Sequence, residues 1–200
     1  HYAQTEDEMA AVISHELAHL SQRHYARSIG KQKAQNLATM AALLGSLLVM
    51  AAGDAESGLA ALTTTQAAAI SNQLKYSRTQ EEEADRIGMQ TLANANMNPE
   101  AIAHMFQHML AQTRYRTDLK ELGFLLTHPL ADSRVADALN NARQLSKRDD
   151  RDSIDFHRMK ARAAFLANRN AHESVKQFRS QLATAKYPEA SEYGLALALL

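Results

Sequence analysis

Thr5-Glu6-Asp7-Glu8, running into Met9-Ala10-Ala11-Val12-Ile13-Ser14-His15-Glu16-Leu17-Ala18-His19-Leu20, reads as the opening of an α-helix. Thr5 with Glu8 three residues later has the form of a capping box, and acidic residues fill the first turn. Met9, Val12, Ile13, Leu17 and Leu20 then recur at helical spacing, which predicts a helix from about Thr5 to Tyr25. The whole chain shares this character. Of its 200 residues 37 are Ala, whereas Val and Ile together number ten, Gly seven and Pro three. That balance favours helix over strand and tight turn, so the expected class is mainly α. Two hundred residues suffice for one domain, or for one domain and the start of a second.

Outward from that helix, 37–52 (LATMAALLGSLLVMAA) carries no charge over sixteen residues, short of the roughly 20 needed to cross a bilayer. A buried helix is expected there, with a hairpin that makes peripheral membrane contact or faces substrate as the alternative. Residues 53–58 (GDAESG) read as a loop. Helices are expected over 59–74 and again from Ser77 or Thr79 to about Ala95. Asn98-Pro99 marks another start, with the apolar face Ile102, Met105, Phe106, Met109 and Leu110. After the apolar stretch 119–126, Thr127-His128-Pro129 breaks the pattern before a helix over about 131–145. The run 147–152 (KRDDRD) has no apolar residue and is read as a solvated linker. Two amphipathic helices and the start of a third follow over 153–200, with a period of roughly 34 residues, the tetratricopeptide length. The expected division is thus a domain over 1–146, the linker at 147–152, and truncated tetratricopeptide-like repeats from 153 to 200.

Lys and Arg total 22 and so do Asp and Glu, so no excess of charge argues for nucleic acid as a partner. The absence of cysteine removes thiolate metal sites and cysteine nucleophiles, and it fits an oxidising compartment such as a periplasm. Any metal must be held by His and carboxylate. His15-Glu16-Leu17-Ala18-His19 is H-E-x-x-H on the predicted helix, and at 100° per residue its two histidines stand about 40° apart, one turn along the axis. Both can reach one metal ion. Glu16 lies on the neighbouring face, where it can address a water as general base without being a ligand. A catalytic zinc needs a third protein ligand and an open position. Tyr76 to Asp85 (YSRTQEEEAD) supplies carboxylates, and three consecutive glutamates leave the ligand ambiguous. Glu81 and Asp85 share a face at i and i+4, so one can bind metal while the other orients a histidine; Glu82 and Glu83 are then expected to be solvated. His104 and His108, also at i and i+4, lack a catalytic glutamate and read as surface histidines. His24 lies beyond the reach of the same ion.

His15 to His19, then S-R-x-x-E-x-x-A-D at Ser77 to Asp85, then T-H-P at Thr127 to Pro129, resembles the gluzincin metallopeptidase family of the CAAX prenyl proteases and HtpX. The repeat-like C-terminal helices point to its soluble, periplasmic β-barrel assembly-enhancing branch. The resemblance implies one zinc per chain, held by His15, His19 and Glu81, with Asp85 behind the first histidine. It places His128 near the metal, where it either caps the open position at rest or assists catalysis at substrate binding. It implies a zinc-dependent endopeptidase that hydrolyses internal peptide bonds of protein substrates in envelope or outer-membrane quality control, in a Gram-negative periplasm. Contact with outer-membrane assembly machinery through the repeats is a further implied partnership. Strands that would hold an extended substrate are expected upstream of His1. The rival expectation is a non-catalytic chaperone or scaffold that binds proteins through its repeats.

Overall fold

The computed structural model describes residues 3–113, 128–145, 148–149, 151–168 and 170–200. The apolar stretch 119–126, Thr127, and Lys147 and Asp150 of the charged run lie outside the described residues. The described residues form helices α1 (Glu6–Ser21), α2 (His24–Ala51), α3 (Ala55–Asn94), α4 (Ala101–Thr113), α5 (Asp132–Ala142), α6 (Ile154–Ala167), α7 (Ala171–Gln181) and α8 (Pro188–Leu199), with no strand among them. The fold is mainly α, as the composition predicts.

Thr5 caps α1 in extended conformation, its hydroxyl accepting the Glu8 N–H at 3.2 Å. The helix ends before Tyr25 because Arg23 takes the left-handed conformation (φ 52°), which costs a residue with a Cβ roughly 1–2 kcal/mol and turns the chain into α2. The apolar periodicity finds this helix but misplaces its inner face. Met9, Ile13, Leu17 and Leu20 are exposed, Leu20 by 73%, while Asp7, Ala11, Ser14, His15 and Ala18 face inward. The cause is the crossing with α3. A Cβ on Gly88 would lie 3.1 Å from the backbone nitrogen of His15, so glycine lets the two backbones approach there. Ala11, Ala18 and Ala84 are buried beside it.

Beneath this crossing lies the main core: Met89 and Leu92 of α3, Ile102, Met105, Phe106 and Met109 of α4, and Ala138 and Ala142 of α5. Helix α4 begins at Ala101, two residues beyond the start expected at Pro99, and the Asn98 side chain accepts the N–H of Glu100 at 3.0 Å. A second core joins α6, α7 and α8 around Ala161, Phe178 and Ala198, and the ring of Phe178 occupies the space a side chain on Gly194 would need. Ile154 and Pro188, the first residues of α6 and α8, are 188 − 154 = 34 positions apart. The two parts are tied together. Asp7, wholly buried, accepts the backbone N–H of Arg151 at 2.7 Å, and Lys160 donates to the Ala3 carbonyl at 2.7 Å. Asp152 is not a solvated member of the charged run, since its carboxylate takes up Lys186 and His157, each at 2.7 Å.

Two helical expectations are corrected. Residues 37–52 are not a buried helix. They are the outer part of the 28-residue α2, with Leu37, Met40, Leu44, Leu47 and Leu48 all more than half exposed. Helix α2 packs along the first part of α3, so only a narrow stripe around Ser46 is covered, and by length and composition α2 could cross a membrane. The separate helices expected over 59–74 and 77–95 are one continuous helix of 40 residues, α3. Ser77 and Thr79 resemble caps, yet the Thr79 hydroxyl bonds back to the Lys75 carbonyl at 3.0 Å, and no Gly or Pro lies between Leu74 and Thr79 to break the ladder.

Candidate metal and catalytic site

Helix α1 presents His15 and His19 one turn apart, and the inner half of α3 brings Glu81 to them across the Gly88 crossing. The Nε2 atoms of the two histidines are 3.1 Å apart, and each lies 3.5 Å from a Glu81 carboxylate oxygen. His128, just before α5, places its Nδ1 3.4 Å from His15 Nε2 and 3.1 Å from Glu81. One ligand atom from each of His15, His19, Glu81 and His128 lies within 4.8 Å of all the others. Tetrahedral zinc, with bonds of roughly 2.0–2.2 Å, sets its ligand atoms about 3.3 Å apart. The donor set therefore fits zinc in both chemistry and spacing. Glu16 stays outside the cluster, 46% exposed, with its carboxylate 3.3 Å from His128 Nε2.

The sequence profile of peptidase family M48 matches residues 1–142. The chain belongs to peptidase family M48. It is 39% identical over its whole length to a putative β-barrel assembly-enhancing protease of Vibrio cholerae serotype O1, spanning 41% of that protein. It is also 35% identical over 98% of its length to the β-barrel assembly-enhancing protease of Escherichia coli K12, and 34% over 99% to that of Yersinia pestis. The chain spans about 40% of the length of these relatives.

In this M48 chain the Oδ1 of Asp85 lies 2.9 Å from His15 Nδ1. What the sequence reading missed is Arg134. Its guanidinium is nearly buried, donates to both oxygens of Asp85 at 2.8 Å, reaches Glu81 at 3.1 Å, donates to the Pro129 carbonyl at 2.8 Å and lies over the Phe106 ring. A signal for it exists. A basic residue in the first turn of a helix opposes the helix dipole, so an arginine three residues into α5 calls for an acidic partner. Glu83 was also misjudged. His24 Nδ1 lies 2.9 Å from His19 Nδ1, and Glu83, half-buried rather than solvated, accepts from His24 Nε2 and Arg27, both at 3.1 Å. His108 pairs with Glu8 at 3.2 Å and takes no part in the cluster.

The electrostatics of the M48 site separate its histidines. Burial pulls His15 down, but its hydrogen bonds to Asp85 and Glu81 more than offset this, so it is pushed up to about 9. His19 is pushed down to about 4 by burial and by the neighbouring His15. Burial raises the Glu81 carboxyl, yet hydrogen bonds from His128 and His15 and the nearby Arg134 hold it well below the usual carboxylate range. Without metal these surroundings favour a proton on His15 over one on His19 and favour the ionised form of Glu81.

Proposed function

We propose that this chain carries the catalytic centre of a zinc-dependent endopeptidase, with zinc held by His15, His19 and Glu81. The observation that carries this reading is the spacing of those ligand atoms, 3.1–3.5 Å, beside an unligated Glu16. Zinc bound there supplies Lewis-acid polarisation of the scissile carbonyl and a water of lowered pKa. Glu16, partly exposed and free of the ligand set, takes the proton of the attacking water and delivers it to the leaving amine. Asp85, fixed by Arg134, holds the His15 ring with Nε2 turned to the metal. A purely structural site has no use for a base in the position of Glu16, which favours catalysis over the scaffold reading.

His128 serves as a reversible cap in the same reading. Its Nδ1 lies among the ligand atoms while its Nε2 faces Glu16, so the imidazole occupies both the open position and the base. Substrate entry requires it to leave. The substrates are proteins, and by likeness to the named relatives the setting is outer-membrane protein assembly in a Gram-negative periplasm. Helices α6 to α8 then begin a tetratricopeptide-like array that engages substrate or assembly machinery. The exposed apolar face of α2 supplies peripheral membrane contact.

Metal content and casein cleavage, measured with and without a chelator on the full-length protein, test the reading. Glu16→Gln is expected to keep zinc and abolish turnover. Near-parental cleavage by Glu16→Gln, or cleavage that survives removal of all metal, excludes the mechanism.

A further inference from the structure

We propose that His24 and Glu83, backed by Arg27, are positioning residues for the second metal-binding histidine, His19. The inference rests on the reading that His19 holds a metal through Nε2. Once Nε2 is committed as a lone-pair donor, the His19 proton sits on Nδ1, and that atom lies 2.9 Å from Nδ1 of His24. Two nitrogens at this distance need one donor and one acceptor. His19 therefore donates, His24 accepts, and the His24 proton is left on Nε2. That atom is 3.1 Å from Glu83 Oε2, which also accepts from Arg27 at 3.1 Å. Every proton in the chain His19, His24, Glu83, Arg27 is assigned by the first one. The result parallels the support of His15, where Nδ1 meets Asp85 and Asp85 meets Arg134, but with an imidazole inserted as a relay.

The backbone is arranged for this contact. On an unbroken helix a residue five positions on would point about 140° away from His19. The left-handed Arg23 interrupts the helix immediately before His24 and folds its ring back over His19. His24 is 3% exposed and anchored through its own carbonyl, which accepts from Gln80 Nε2 at 2.9 Å and from Ser28 Oγ at 2.8 Å. Gln80 directly precedes Glu81, so the anchor of the relay and the third ligand are adjacent on α3. Burying a second imidazole with both nitrogens engaged serves packing no better than an apolar ring would. It serves a neighbour that must be held in one tautomer and one orientation.

Zinc affinity, measured by chelator competition on the full-length protein, tests this together with the absorption spectrum of the cobalt-substituted site and the melting temperature of the metal-free form. His24→Leu is expected to weaken zinc binding about 10 to 100-fold, and Glu83→Gln about tenfold, as is usual when an outer partner of a ligand is lost. His24→Gln, whose amide can accept from His19 and donate to Glu83, is expected to recover most of the affinity and the parental cobalt spectrum. Glu82→Gln, one residue away but exposed, is expected to change nothing. Parental zinc affinity in both His24→Leu and Glu83→Gln overturns the proposal, as does an affinity loss in Glu83→Gln that merely follows a fall in metal-free melting temperature. A parent protein that holds no zinc fells the metal-site reading itself; a parent that holds zinc no better than these variants fells only the relay.

Discussion

From Gln80 to Leu92 helix α3 buries Gln80, Glu81, Ala84, Asp85, Gly88, Met89 and Leu92, whereas from Leu59 to Leu74 the same helix leaves Leu59, Ile70 and Leu74 more than half exposed. Burial along one continuous helix thus runs opposite to hydrophobicity over much of its length. The inner half takes charges inside because partners meet them there: Arg134 and His15 for Asp85, His128 and Arg134 for Glu81. An ionised group without such partners could not be buried. Among the described residues the outer half lies along α2, and two helices cannot cover each other on all sides. A stability measure should therefore respond to the inner half and be nearly blind to the outer one, while a binding measure responds to both.

The largest effect is expected from Arg134→Leu. Removing the guanidinium leaves Asp85 and Glu81 as buried carboxylates short of a cation, and the expected loss is roughly 3–5 kcal/mol by chemical denaturation. A loss under about 1 kcal/mol would mean that water, not Arg134, satisfies these groups. Next comes the ligand register. Glu81→Gln should lose stoichiometric zinc while Glu82→Gln keeps it, and Asp85→Asn should weaken zinc about 10 to 100-fold. Zinc lost with Glu82 and kept with Glu81 would put the inner face of α3 in the wrong register.

The pH dependence of the metal-free protein sharpens the same contrast. His15, raised from 6.5 to about 9, contributes stability that is complete below pH 6.5 and lost as pH rises through 9. His19, lowered from 6.5 to about 4, stays neutral in the fold while the unfolded chain takes up a proton, so stability falls as pH drops from 6.5 towards 4. The lowered Glu81 adds a further loss below pH 4.5. The melting temperature of the metal-free form should peak near pH 6.5, and Glu81→Gln should remove the added loss below pH 4.5. A profile that is flat from pH 4.5 to 9 would remove the assigned charge states.

The smallest effect belongs to the outer half. Leu48→Ser, at a position 72% exposed, should change stability by no more than about 0.5 kcal/mol. Hydrogen exchange should show the α2–α3 hairpin opening more readily than α1. If Leu48→Ser destabilises as much as a core truncation, the hairpin is covered in the folded protein and the comparison between halves fails.

The helical character of the chain was legible in composition and periodicity, and so were His15, Glu16 and His19, because their relation is set within five residues of one helix. Glu81 and Asp85 were legible as a pair sharing a face, again a local relation. His128 was carried by family resemblance, and its place beside Glu16 came from the structure. The sequence by itself determined that the chain is mainly helical, where α1 begins, and which residue types could hold a metal, since caps, spacing and donor chemistry act over a few residues. Only the tertiary structure decided that α3 is continuous, that the apolar stripes of α1 and α2 face outward, and that Arg134, His24 and Glu83 stand beside His15, His19 and Glu81. Those outcomes depend on a close helix crossing at Gly88 and a left-handed turn at Arg23, and on partners as far apart as Asp85 and Arg134. No local periodicity encodes such contacts, because the energy that selects them arises only when distant helices meet.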